Sequence, residues 1–271
     1  MAQAVRRCLP MLVLILVLAG GPAGAQRPKT APHAHDDQAM SILKRMADVL
    51  SKTQQFSVTV DTGFDVVQES GQKIEFGETR KILIRRPDRA RIDITQRDGG
   101  TGGFIFDGQE IAVFNNRDHV YATTAKPGTL DDAIVYFMNT LDMRFPLSDL
   151  LSSRLVETLA VKVREATYVE SATIAGVPCD HVAFRGEWAD GQLWIAQGDP
   201  PLPRRLVLTY KHAEGQPQFW AQFGDWDVAP DVPDARFVFT PPEGAAKIAF
   251  TSRKPATAGA RERQGKKGAR P

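Results

Sequence analysis

The sequence is poor in the features that would name a chemistry. It has two cysteines in 271 residues, and Cys8 falls in a segment expected to be removed, so Cys179 stands alone and no internal disulfide is expected. A chain of this size buries roughly 70% or more of the surface it exposes when unfolded, and holds a core without such a bond. There is no Walker loop, dinucleotide fingerprint, His-Glu-x-x-His pair or Gly-x-Ser-x-Gly elbow. The best-marked nucleotide-dependent and hydrolytic classes are therefore without support. The longest apolar run, Leu9 to Leu18, is about half of the roughly 20 residues a bilayer-spanning helix needs. Neither sign of charge dominates, the formal net charge being +2.

What is present begins with a secretory pattern. Arg6 and Arg7 precede the apolar run, and Ala23-Gly24-Ala25 supplies a small-x-small site, so cleavage near Ala25 and export to the periplasm are expected. Leu18-Ala19-Gly20 is followed by Gly21 rather than cysteine, so lipid anchoring is not expected. Losing residues 1–25 removes two cations and no acid, leaving the remaining Lys and Arg in balance with the 32 Asp and Glu. That balance is uneven along the chain. Residues 252–271 hold seven basic side chains against Glu262, and the Gly, Ala and Pro around them read as a disordered tail able to meet an anionic membrane surface. The acidic body left behind argues against nucleic-acid binding by the folded part. The expected organisation is a signal at 1–25, a linker at 26–36, a single domain at 37–251 and a basic tail at 252–271.

Asp36 or Asp37 can cap a helix whose stripe is Met40, Leu43, Met46, Ala47 and Leu50. From Gln55 the period falls to two: Phe56, Val58, Val60, Phe64 and Val66 share one face, and Ile74, Phe76, Ile82 and Ile84 repeat the pattern. Asp107-Gly108 between Phe104-Ile105-Phe106 and Ile111 to Phe114 reads as a tight hairpin. Thr129-Leu130-Asp131-Asp132 has the form of a capping box opening a helix with Leu130, Ile134, Phe137, Met138 and Leu141, and a second helical stretch is expected over Leu147 to Leu159. Strands resume from Thr167 and are expected to end with Arg236 to Phe239. Short connections make the neighbours antiparallel. The expected fold class is mainly β (α+β), one long curled antiparallel sheet of about eleven to thirteen strands with a helix before it and a helical insertion in the middle. Ile111 to Phe114, Leu193-Trp194-Ile195 and Phe219 to Phe223 carry bulky apolar groups on both faces. Something must cover the second face, and the helices are the expected cover.

Arg86-Pro87-Asp88-Arg89-Ala90-Arg91, Phe106-Asp107-Gly108-Gln109-Glu110-Ile111 and Phe237-Val238-Phe239-Thr240-Pro241-Pro242-Glu243-Gly244 fall in the order seen in the LolA/LolB superfamily of periplasmic lipoprotein carriers. The stretch from about Ser41 to Lys247, with Gly176-Val177-Pro178-Cys179-Asp180-His181 and Leu202-Pro203-Arg204-Arg205, is similar to a bacterial family of predicted periplasmic proteins, domain of unknown function 2092. The resemblance implies a LolA-like open barrel whose helices act as a lid over an apolar cavity for acyl chains.

The candidate ligand-binding set is Phe64, Phe76, Phe104, Phe106, Phe137, Met138, Trp194 and Trp220, with Glu78 and Arg80 as polar members if their face is the interior; the alternative is a bulge turning that pair to solvent. His33, His35, Asp36 and Asp37 are chemically able to bind a transition metal, but linker and helix cap is the preferred reading, so no metal or cofactor is expected. Cys179 and His181, two apart on a strand, share a face, yet no oxyanion-forming turn follows them. The expected function is a non-enzymatic periplasmic binding or carrier protein for a lipid, a lipoprotein acyl chain or another apolar ligand. It would open a lid formed by Thr129 to Leu159 and the N-terminal helix. A protein-interaction or envelope-sensing module on the same fold is the alternative, and a hydrolase using Cys179 and His181 the third reading.

Overall fold

The computed structural model describes residues 33–141 and 145–250. The expected signal, residues 26–32 of the expected linker and the basic tail lie outside the described residues, as do the side chains of His33, His35 and Asp36. Helix α1 spans His33–Lys52, starting earlier than the expected cap at Asp36 or Asp37. Its buried stripe is Ala39, Ile42, Leu43, Met46, Ala47 and Leu50, spaced by three and four residues as one face of a helix requires.

The chain then forms a meander of six strands: β1 Gln55–Val67, β2 Lys73–Arg85, β3 Arg89–Gln96, β4 Thr101–Phe106, β5 Glu110–Asn115 and β6 Val120–Ala125. The Asp107-Gly108 turn is as expected, with Gly108 at φ 84° and Asp107 Oδ1 accepting from the amides of Gln109 and Glu110. The helical insertion follows as α2 Leu130–Asn139, α3 Ser148–Leu151 and α4 Leu155–Lys162. The single stretch expected over Leu147 to Leu159 is thus two helices. They are broken at Ser152 and Ser153, whose hydroxyls both donate to the Asp131 carboxylate. Five more strands complete the second half: β7 Val163–Ile174, β8 Val177–Gly186, β9 Ala189–Ala196, β10 Pro203–Tyr210 and β11 Gln218–Asp227.

These strands and a two-residue β12, Ala246–Lys247, form one 12-stranded sheet in the order β12-β6-β5-β4-β3-β2-β1-β11-β10-β9-β8-β7. Its two ends are different strands, so the barrel is open. All pairs are antiparallel except β12 with β6, which is parallel. The two halves meet where β1 pairs with β11. A register shift there, with Asp225 at φ 49°, turns Trp226 inward against Phe56 and Phe223, as a bulge re-aims a side chain.

The core lies between the concave face and the helices. Phe56, Val58, Val60, Ile82, Ile84, Phe106, Ile111, Val182, Leu193, Leu206, Phe219 and Phe223 pack with the α1 stripe and with Leu130, Ala133, Leu147, Leu151 and Leu155. Helix α1 lies against β7, α3 and α4. Arg86 holds its far end, donating from Nε to Thr53 O and from Nη2 to Leu50 O, where a cation suits the exposed carbonyls of a helix C-terminus. The next residue, Pro87, accepts from the Leu130 amide at the start of α2. One β-turn therefore fastens two covering helices.

The second face is covered differently from the expectation. Residues expected as a strand at Arg236 to Phe239 instead form a 3₁₀ turn, Asp234–Phe237, leading into an extended strap. Phe237 is buried beneath Arg85, which also pairs with Asp234 at 2.5 Å, and Phe239 lies on Phe114 and Tyr121. This strap, not the helices, covers the convex side of the first meander.

Candidate functional site

Strands β1 and β2 stay in register over thirteen pairs, from Gln55 with Arg85 to Val67 with Lys73, without a shift. Alternation therefore places Phe56, Val58, Val60, Thr62, Phe64 and Val66 beside Ile84, Ile82, Arg80, Glu78, Phe76 and Ile74 on one face. The first three pairs lie at or near the core, and the last two do not. Phe64 is 40% exposed, Phe76 50%, and Val66 and Ile74 39% each, with Phe64 and Phe76 stacked at 6.2 Å. A thirteen-residue strand extends about 43 Å, whereas a ten-residue helix such as α2 covers about 15 Å. The apolar wall thus continues past its cover as an open lip.

Glu78 and Arg80 mark the boundary. The unbroken register excludes the bulge that would have turned them to solvent, and their side chains are only 14% and 12% exposed. Arg80 Nε and Nη2 both approach Glu78 Oε1, at 2.6 and 2.5 Å, while the guanidinium lies 4.6 Å from the centre of the Phe145 ring in the α2–α3 connection. Arg80 Nη1 is buried and has no acceptor. Burial pulls the Arg80 pKa below its ordinary value, and the neighbouring Glu78 charge and hydrogen bond oppose that shift. Beside the pair, the buried Thr62 hydroxyl donates to the Glu78 carbonyl.

The remaining expected residues separate. Phe104 packs edge-on against Phe137 at 5.5 Å, and Met138 Sδ lies 3.3 Å from Ser148 Oγ, so these line the contact between sheet and helical insertion. Phe106 is fully buried core. Trp194 and Trp220 are not part of the concave set. Each stands between two buried inward residues, Leu193 and Ile195 or Phe219 and Ala221, so a period of two puts both indoles on the convex face.

There they belong to a ladder that residue-by-residue reading of the sequence did not reveal. His181 stacks on Trp194 at 4.1 Å, Arg205 lies over Trp194 and Trp220 at 5.8 and 5.5 Å, and Arg97 also lies over Trp220, at 5.9 Å. Glu75 accepts from both Trp220 Nε1 and Arg97. The cross-strand pair His181 with Trp194 and the pair Arg205 with Trp194 are the register signal for it. A groove of about 410 Å³ adjoins this face, lined by Thr167, Arg185, Asp190 and Gln192 among others. Cys179 is buried, its thiol donating to Val177 O at 3.3 Å. Burial raises its pKa, so it is a thiol rather than a thiolate at neutral pH. His181 is held by Trp194 and Gln192. Among the described residues no group of three or more His, Cys, Asp or Glu gathers as a metal site, and no helix is long and apolar enough to cross a membrane.

The family profile described as "Predicted periplasmic protein (DUF2092)" matches residues 39–251, which includes both meanders, the helical insertion and the strap. The chain belongs to this family. Solved structures similar to it include the lipoprotein LppX of Mycobacterium tuberculosis, at 13% identity and TM-score 0.46 over 73% of this chain and 100% of that one. A LolA superfamily protein of Nitrosomonas europaea matches at 13% identity and TM-score 0.38, over 74% and 97%. MucB matches at 17% identity and TM-score 0.42, over 78% and 65%. Among curated proteins, none matches the sequence significantly.

Proposed function

We propose that this protein is a non-enzymatic periplasmic binding or carrier protein that takes an acyl chain against the concave face of its open sheet. The observation that carries the reading is the uncovered apolar lip of Phe64, Val66, Ile74 and Phe76, continuous in register with the core beneath the helices. A chain laid on the lip extends inward only if α2–α4 give way, exchanging helix contacts for ligand contacts at Phe104, Phe137 and Met138. Asp131, tied to Ser152 and Ser153, makes α2 move together with the start of α4. Burying fourteen methylenes at roughly 0.8 kcal/mol each releases on the order of 11 kcal/mol gross, of which ordering costs take on the order of half. The remaining roughly 5–6 kcal/mol corresponds to a Kd on the order of 0.1 mM, reached without a charged contact.

Native mass spectrometry of protein purified from an envelope fraction, with uptake of a fluorescent fatty acid, tests this. Lipid-sized adducts and saturable uptake are expected, with uptake at least tenfold weaker in Phe76→Asp at unchanged circular dichroism. A clean unliganded mass with no uptake removes the carrier reading, and a stoichiometric protein partner that survives detergent replaces it with the interaction module.

A further inference from the structure

We infer that the acyl chain enters carrying an uncharged carbonyl oxygen, that of an ester or amide, which accepts a hydrogen bond from Arg80 Nη1. This rests on the acyl-binding reading above and adds the polar atom of the ligand. The guanidinium presents five donors, and Glu78 Oε1 faces its Nε and Nη2 edge, leaving Nη1 without an acceptor although it is out of contact with water. A buried donor without a partner is costly, and the face of Phe145, which lies over the guanidinium, offers no lone pair. Position on the strand matters equally. Arg80 sits two pairs along from Phe64 and Phe76 and one pair from Ile82 and Val58. A polar atom at Nη1 therefore lies between the exposed lip and the covered core, where the junction of a head group and an acyl chain would fall.

The charge of the site decides which acceptor fits. Arg80 and Glu78 already neutralise one another, so a carboxylate or phosphate would bring an uncompensated negative charge into a poorly solvated place. A neutral carbonyl satisfies Nη1 at no such cost. A ligand reaching it displaces the Phe145 ring, which couples arrival of the carbonyl to movement of the α2–α3 connection.

The test uses the full mature chain loaded with the apolar reporter N-phenyl-1-naphthylamine and displaced by methyl myristate, tetradecane or myristate. Methyl myristate is expected to displace the reporter at about tenfold lower concentration than tetradecane, as one added hydrogen bond to a charged donor implies, and at lower concentration than myristate at pH 7. In the double variant Glu78→Gln with Arg80→Met the ratio of the tetradecane to the ester displacement concentration is expected to fall from about ten to about one. Infrared spectra of methyl [1-13C]myristate on the unmodified protein give an independent readout, with the carbonyl stretch expected below its position in hydrocarbon. Equal displacement by ester and alkane, or an unshifted carbonyl, overturns the inference and leaves acyl binding standing. Tighter binding of myristate overturns it in favour of charge recognition. If none of the three displaces the reporter, the acyl-binding reading falls and the inference with it.

Discussion

Gly63 lies on β1 directly beneath the indole of Trp220, and a Cβ built there would stand 2.4 Å from Nε1 and 2.5 Å from Cε2. The ring cannot swing away cheaply, because Glu75 holds its N–H at 2.9 Å and Arg97 and Arg205 lie over it. Gly63→Ala is expected to cost about 1–3 kcal/mol, the range for overpacking a filled site, whereas Gly198→Ala, with open space around it, is expected to be near neutral. Urea midpoints of the two variants compare them directly, and equal midpoints would mean that the ladder is loose. At this scale the sequence is legible in part. The alternation that sets Glu78 and Arg80 on the face of Ile82 and Ile84 is a local property, and the structure keeps it. The difference between Phe106, fully buried, and Phe76, half exposed, is not local, because it depends on where a helix dozens of residues away comes to rest. Trp194 and Trp220 are a different case: their neighbours already implied the convex face, but apolarity alone had grouped them with the ligand set.

Among the elements, α2 begins on a capping box. Asp132 N donates to Thr129 Oγ at 3.2 Å, and the Asp132 carboxylate accepts from Thr129 N at 2.9 Å and from Thr129 Oγ at 2.8 Å. The backbone N–H, followed by the hydroxyl, holds the Asp132 pKa below its ordinary value. A carboxyl group with a depressed folded pKa adds stability that is complete above its unfolded pKa of about 3.9 and is lost as pH falls through the folded value. Asp132→Asn is therefore expected to lower the urea midpoint at pH 7 and to lose that effect progressively below about pH 4. Chemical denaturation at pH 7, 5, 3 and 2 measures the difference, and a difference independent of pH would place the stabilisation elsewhere than in the charged carboxylate. The start of this helix was readable because a cap is written in four consecutive residues. The strap was not, because Arg236 to Phe239 has the apolar character of a strand while its placement against Arg85, Phe114 and Tyr121 is tertiary, and the ladder that follows it on β6 is only two residues long.

At the scale of the molecule, β1 is the seam. It pairs with β2 next to it in sequence and with β11 far along the chain, as in Ser57 with Asp227, and the core cluster runs without a break from β3 and β4 through α1 to β8 and β9. Residues 37–251 are accordingly expected to unfold as one unit. The sequence supplies a test, because its four tryptophans, Trp188, Trp194, Trp220 and Trp226, all belong to the second meander. Their fluorescence reports that half, while far-UV circular dichroism reports the whole. Coincident urea transitions are expected, and an earlier or later fluorescence transition would divide the domain at the seam.

An open barrel also leaves one edge of β7, the strand at one end of the sheet, without a ladder partner among the described residues. Its ladder with β8 is interrupted by register shifts between Val163 and Glu165 and between Tyr168 and Glu170, and it carries Arg164, Glu165, Thr167, Glu170, Ser171 and Thr173. Interrupted spacing and charge both oppose the addition of another strand. The edge that an open sheet leaves is thereby kept from becoming a template on which identical copies stack into fibrils.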